Sequence, residues 1–278
     1  MAAVPNAWSR SNTAALDASI ARVAANDSTL TSLFVLPNQS LPTAQWQALC
    51  QALKTNTQLR ELYASGHAID EVGALILAEA LMDNTALEKL CIGNSTFGDE
   101  GVAAVAPGLA LNASIQQLDL EYKGVSHFGV KTLIEALQDP MSPCRLTHLI
   151  LSRNVGIADA GAKLLAEGMR VGDASGSGAE VVPERKGEFP GLHHLQSLSL
   201  RECGLTASAC IPVCGSLTEL DLRGNCFAST TGDNGAFVAI VEAVAAGAPR
   251  LERLQVCPLV ALSVASYIGG CMRMRLCE

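Results

Sequence analysis

The sequence predicts an α/β solenoid, and three observations carry that prediction. An aliphatic triplet at the first, fourth and sixth places of a short segment recurs along the chain. It appears as Leu30/Leu33/Val35, Leu59/Leu62/Ala64, Leu87/Leu90/Ile92 and Ile115/Leu118/Leu120. It continues as Leu146/Leu149/Leu151, Leu195/Leu198/Leu200, Leu217/Leu220/Leu222 and Leu251/Leu254/Val256. Between the early triplets, Asn26, Asn56, Asn84 and Asn112 mark helix exits spaced 30, 28 and 28 residues apart. Hydrophobic residues make up 49% of the 278 but aromatics only 4%, so the core is built from Leu, Ala, Val and Ile. Small aliphatic side chains suit thin layers that repeat, and a fixed period is the mark of a solenoid.

Residues 1 to 10 show no periodicity and are expected to form a loose end. From Asn12 to Asn26 the apolar positions Leu16, Ile20, Val23 and Ala24 fall at helical spacing. That helix is half a repeat and should cap the exposed end of the core. Residues 1–29 are therefore read as a loose end and capping helix, and 30–278 as about eight repeats.

The regular unit is Leu87 to Leu111: a strand through Leu90 and Ile92, a turn from Gly93 to Phe97, and an Ala/Val-rich helix. Asp99 is expected to cap that helix, with Glu100 at the positive end of its dipole. Gly73, Gly101, Gly129 and Gly161 recur near helix starts, where a missing side chain lets layers approach closely. Asn tolerates the left-handed conformation, so the Asn ladder is expected to stop the helices that way.

Successive triplets begin 29, 28, 28, 31, 49, 22 and 34 residues apart, regular in the first half and irregular in the second. The longest interval holds residues 171–190, VGDASGSGAEVVPERKGEFP, expected to be a flexible insertion. The shortest, from Leu195 to Ser216, lacks room for a full helix. After Val256 the pattern dissolves, and an irregular C-terminal cap is expected.

The triplets and the residue three places beyond them resemble the leucine-rich repeat pattern L-x-x-L-x-L-x-x-N/C, in its ribonuclease-inhibitor-like class. Asn38, Asn154, Cys203 and Asn225 fill the Asn/Cys place, whereas His67, Ser95, Lys123 and Leu259 depart from it. The resemblance implies a curved right-handed β-α superhelix, parallel strands on its concave face and helices on its convex face. It also implies that the Asn/Cys side chain satisfies buried backbone groups where each strand turns away.

Catalytic and cofactor chemistry find little support. The nearest approaches to Gly-x-Ser-x-Gly, at Gly93–Phe97 and Gly124–Phe128, put Phe where the second Gly must stand. There is no Gly-x-x-x-x-Gly-Lys-Ser/Thr loop. Cys203, Cys210, Cys214 and Cys226 cluster in sequence, yet no second paired unit or nearby His completes a zinc pattern. No enzyme activity, cofactor, metal or small-molecule substrate is expected. The net charge of −8, with no basic run, argues against nucleic acid. No apolar leader follows Met1, and Pro258–Gly269 falls short of the roughly 20 residues needed to cross a bilayer. A cytoplasmic protein with reduced cysteines, away from the membrane, is expected.

The surface that remains is the outward side of the strands, which in this family commonly binds proteins. Its early positions are Arg60, Glu61, Tyr63, Glu88, Lys89, Asp119, Glu121 and Tyr122. Its later ones are His148, Arg153, Arg201, Glu202, Asp221, Arg223, Glu252 and Arg253. Arg and Tyr are favoured interface anchors. The leading expectation is a non-catalytic scaffold for a protein partner. Alternatives are a regulator of another enzyme, either GTPase-activator-like or inhibitor-like, and tropomodulin-like capping of actin filaments. The relevant activator is the Ran GTPase-activating protein, whose activity depends on residues of the early rim. Here the early rim loops Asn38–Ala44 and His67–Gly73 contain no Arg, so a simple transfer of that activity fails. The exits Lys54-Thr55-Asn56-Thr57 and Asp83-Asn84-Thr85 look similar to tropomodulin repeats.

Overall fold

The computed structural model describes residues 7–37, 41–139, 141–169, 192–206, 208–211, 213–227, 248–256 and 273–276. The first element is helix α1 (Ala7–Ala24), followed by β1 (Ser32–Phe34), α2 (Thr43–Leu53), β2 (Glu61–Ser65) and α3 (Glu71–Asp83). Then come β3 (Lys89–Gly93), α4 (Gly98–Leu111), β4 (Gln117–Asp119), α5 (His127–Leu137), β5 (His148–Ile150) and α6 (Ala158–Met169). A 3-10 turn at Leu192–His194 leads to β6 (Ser197–Ser199), β7 (Glu219–Asp221), β8 (Arg253–Val256) and β9 (Arg273–Leu276). All nine strands lie in one sheet in sequence order, each parallel to the next. The α/β solenoid is thus established, with consecutive helices α1 to α6 packed side by side.

The triplets build the core. Every triplet residue is buried except Leu30, which is partly buried against it, and one apolar cluster runs from Leu16 to Val256. Fully burying a Leu contributes about 1.5–3 kcal/mol relative to exposing it. No single repeat collects enough of this to offset its conformational entropy, so stacking supplies the shared core. Register is strict because a slip of one residue would turn the triplets outward: Leu62 faces Leu90, Leu90 faces Leu118, and Leu118 faces Leu149.

Two side-chain ladders tie the layers together. At the helix exits, Asn84 Nδ2 donates to the carbonyls of Leu53 and Asn56, and its Oδ1 accepts from the amides of Ala86 and Leu87. Asn112 repeats this one layer on, donating to Leu81 and Asn84 and accepting from Ser114 and Ile115. At the strand exits, Asn154 donates to the carbonyls of Leu120 and Leu151 and accepts from the amides of Lys123 and Val125. Asn225 does the same for Leu200, Leu222, Cys203 and Leu205. The Cys203 thiol donates to the Leu151 carbonyl. The backbone-satisfying role implied for the Asn/Cys place is seen at these three residues.

Several expectations are corrected. α1 begins at Ala7, so part of the supposed loose end is helical. Of the exit asparagines only Asn26 is left-handed, at φ 55°. Asn84 and Asn112 have extended backbones (φ −79° and −92°) and work through their carboxamides instead. Asp99 does not cap its own helix: its carboxylate accepts from Ser126 N, Ser126 Oγ and Gly129 N, so it caps the next one. Among the described residues the sheet has nine strands where the triplets suggested eight. In β9, Met274 lies opposite Leu254 and Leu276 opposite Val256, so a ninth strand continues the pattern with Met in a leucine place.

The short interval behaves as expected, with no helix among the described residues between β6 and β7. The insertion at 171–190, Asn38, Leu259 and most of the cap beyond Val256 lie outside the described residues. No helix among the described residues is long and apolar enough to cross a membrane.

Candidate functional site

Strand pleating sends alternate residues to opposite faces, so the third and fifth places of each triplet segment line the sheet's outer face. Register turns them into two rows. One runs Ser32, Glu61, Lys89, Gln117, His148, Ser197, Glu219 and Arg253. The other runs Phe34, Tyr63, Cys91, Asp119, Ile150, Ser199, Asp221 and Gln255. Glu61, Tyr63, Lys89, Asp119, His148, Asp221 and Arg253 therefore share one surface, as the sequence proposed. Arg60, Glu88 and Glu252 precede the strands, and Glu121, Tyr122, Arg153, Arg201, Glu202 and Arg223 follow them at the exit rim.

The face is internally paired. Lys89 Nζ lies 3.4 Å from Glu61, which also accepts from Ser32 Oγ at 2.9 Å. That hydroxyl bond is the main reason the Glu61 carboxyl sits below its ordinary range. Arg60 lies 3.5 Å from Glu88, and Arg253 pairs with Glu219. Arg223 grips Asp221 with Nε at 2.9 Å and Nη2 at 2.7 Å. The basic positions of the second half are thus matched by acids, and the face is a charge-paired ladder rather than a basic patch.

At the exit rim, among the described residues, the eighth place adopts the left-handed conformation in five repeats. Gly66 and Gly224 suit it, but Tyr122, Arg153 and Glu202 hold it at φ 54°, 61° and 54°. A side chain there costs about 1–3 kcal/mol, and such strain gathers where a position has work to do. These three side chains meet in space. The Arg153 guanidinium carbon lies 5.1 Å from the centre of the Tyr122 ring, and its Nε is 3.6 Å from Glu202. Glu202 also holds Arg201 at 2.7 Å.

Two features escaped the sequence reading. Phe34 occupies the same fifth place as Tyr63, and the two rings stack nearly parallel with centres 4.5 Å apart, with Phe34 57% exposed. The clue was its position, one residue before Val35 in the first triplet. Lys123, read as a departure at an Asn place, lines a cleft of about 380 Å³ with Ser65, Gly66, Asn94, Ser95, Asp119, Glu121, Tyr122 and Arg153. Of the seven described cysteines, five are buried. Burial pushes Cys50, Cys91 and Cys203 up to about 12, and the Asp119 charge adds to the effect at Cys91. Cys214 is buried against the Leu195 carbonyl, whereas Cys210 and Cys226 are exposed. Among the described residues no three His, Cys, Asp or Glu side chains converge as metal ligands would.

Comparison with known proteins adds the following. A family model described as Leucine Rich repeat matches residues 143–166 and 213–230, which contain β5 with most of α6, and β7. No curated protein matches the sequence. Among solved structures, the protein is similar to the C-terminal domain of a Caenorhabditis elegans tropomodulin, with 16% identity over 49% of this chain and 82% of that one and a TM-score of 0.43. It is similar to the actin-binding site 2 of leiomodin-1, with 19% identity over 60% and 76% and a TM-score of 0.33. It is also similar to the protein of a TLR13–ssRNA13 complex, with 17% identity over 84% of this chain but only 27% of that one and a TM-score of 0.45. Likeness at these levels carries no functional argument. Two segments that answer to the Leucine Rich repeat model, within nine described strands stacked in one parallel sheet, give the chain the fold of a leucine-rich repeat solenoid.

Proposed function

We propose that the protein is a non-catalytic scaffold that binds a protein partner through the outer face of its sheet and the adjoining exit rim. The observation that carries this reading is the rim itself. Three non-glycine residues keep a left-handed backbone in separate repeats and, with Arg201 held by Glu202, bring an aromatic ring, two guanidinium groups and a carboxylate together at the surface. Tyr and Arg anchor interfaces because each presents a large, oriented surface at modest entropic cost. The Phe34–Tyr63 stack, with Phe34 exposed, supplies an apolar anchor at the other end of the same face. Internal charge pairing keeps the face soluble when empty and gives complementary charge positions to a partner. A helix in each interval from β1 to β5, with repeats near 28 residues, supports placing the protein in the ribonuclease-inhibitor-like class.

Affinity capture with the purified protein tests this reading. Charge reversal at Arg153, Arg201 and Arg223 should abolish partner recovery while leaving the melting temperature close to that of the wild type. Recovery unchanged by the triple reversal would remove the rim from the interface. Stimulated GTP hydrolysis by a captured GTPase would favour the enzyme-regulator alternative. Slowed pointed-end growth of actin filaments would favour the capping alternative that the helix-exit resemblance raises.

A further inference from the structure

Lys123 stands where the repeat pattern places Asn. Asn154 Oδ1 accepts from the Lys123 amide and spans the turn. The Lys123 side chain reaches back two layers, where Nζ donates to Ser65 Oγ at 2.6 Å. The residue is only 3% exposed, and no described carboxylate forms an ion pair with its ammonium.

A buried ammonium has three donors, and a single neutral hydroxyl satisfies one of them. Burying a charge without an opposite charge in contact is costly, and Met would fill the same volume without that penalty. Lys123 lines the cleft formed with Asn94, Asp119, Glu121, Tyr122 and Arg153. Two residues of its outer wall, Tyr122 and Arg153, are also the strained left-handed ones. An under-satisfied buried cation and local backbone strain therefore converge on one cleft.

We propose that this cleft is an anchoring pocket for a carboxylate of the protein partner, received by the Lys123 ammonium, with Tyr122 and Arg153 as its outer wall. The carboxylate belongs either to an acidic side group or to a peptide C-terminus. A singly charged group fits better than a phosphate, because Asp119 and Glu121 line the same cleft and would repel a group carrying nearly two negative charges. The pocket rests on the scaffold reading and gives it a chemical specificity: the partner presents an exposed acid at the point of contact.

The test uses the full-length protein and simple probes followed by amide chemical shifts. N-acetylglutamic acid α-amide stands for an acidic side group and N-acetylglycine for a C-terminus. N-acetylglutamine α-amide and inorganic phosphate are the controls. One carboxylate probe should bind saturably in the millimolar range and shift the Tyr122, Lys123 and Arg153 amides, and the one that binds tighter identifies the source. The carboxamide should show no saturation, and phosphate should bind at least threefold more weakly. Lys123→Met should weaken the carboxylate by tenfold or more without lowering the melting temperature, while Ser65→Ala should change it by less than threefold.

Absence of saturable carboxylate binding, shifts confined to other residues, equal binding by Lys123→Met, or tighter binding of phosphate would each overturn the proposal. The shift map in the wild-type protein decides the matter even if Lys123→Met folds poorly. Probe binding in a protein whose partner recovery is unchanged by the triple arginine reversal would instead remove the arginine rim from the partner interface and leave the pocket standing.

Discussion

Asn84 holds four backbone groups contributed by two layers, and its removal would strand buried donors and acceptors together. Asn84→Ala should therefore cost about 2–3 kcal/mol, measurable as a lower midpoint of urea unfolding. The 28-residue spacing of these asparagines was plain in the sequence, but their mechanism was not. Spacing shows where a helix stops, whereas a cross-layer carboxamide bond depends on partners 28 to 31 residues away. At Glu202 the account predicts the opposite sign. Glycine relieves a left-handed backbone by about 1–2 kcal/mol, more than exposed pairs to Arg153 and Arg201 contribute, so Glu202→Gly should melt at or above the wild-type temperature. The thiols give a third reading at this scale. Cys50, Cys91 and Cys203 are buried and raised to about 12, so brief alkylation near neutral pH should label Cys210 and Cys226 and spare these three. Mass spectrometry of the labelled protein checks this directly.

At the scale of elements, α1 is an end cap whose Leu16, Ile20 and Val23 are buried. Its exit is fastened by Asp27, which accepts from the Thr29 hydroxyl and amide and from Arg22 Nε. The Thr29 hydroxyl above all, then Arg22, lowers the Asp27 carboxyl from 3.8 to about 2. A carboxyl lowered by folding stabilises the fold above its unfolded value and loses that contribution as pH falls toward its folded value. Asp27→Asn should thus be less stable than wild type at neutral pH, and the gap should close as pH falls from about 4 to about 2.

Helix starts are equally constrained. A methyl at Gly101 would lie 2.6 Å from the Phe97 ring, so Gly101→Ala should cost about 1–3 kcal/mol in the same unfolding experiment. The recurring glycines were legible in sequence as sites of close approach. The element that each one approaches was not, because Phe97 is recognisable as a buried residue only once the turn is folded. Asp99 shows the same limit: a sequence offers a cap for the helix that follows it, whereas the stacked layers place that carboxylate over the helix of the next repeat.

Across the whole molecule, the parallel sheet and its order followed from the triplets, since a two-residue alternation repeated at near-constant intervals has one efficient way to share a core. The ninth strand was hidden because Met274 holds a leucine place beyond the point where the triplet pattern lapses in the sequence. The outward residues were also legible as a set, but their pairing was not. Glu219, never singled out, neutralises Arg253, and Glu202 serves both Arg153 and Arg201. Lys123 looked like a flaw in the pattern and proved to be a buried charge facing a cleft.

The central claim is that partner recognition belongs to the sheet face and its rim rather than to the helices behind them. Quantitative affinity capture with two variants tests it most directly. One reverses Arg153, Arg201 and Arg223 at the rim; the other reverses Lys131 and Lys163 on helices α5 and α6, where each pairs with an acid of its own helix. The account predicts that the rim variant loses the partner and the helix variant retains it, with both folded. Retention by the rim variant together with loss by the helix variant would contradict it.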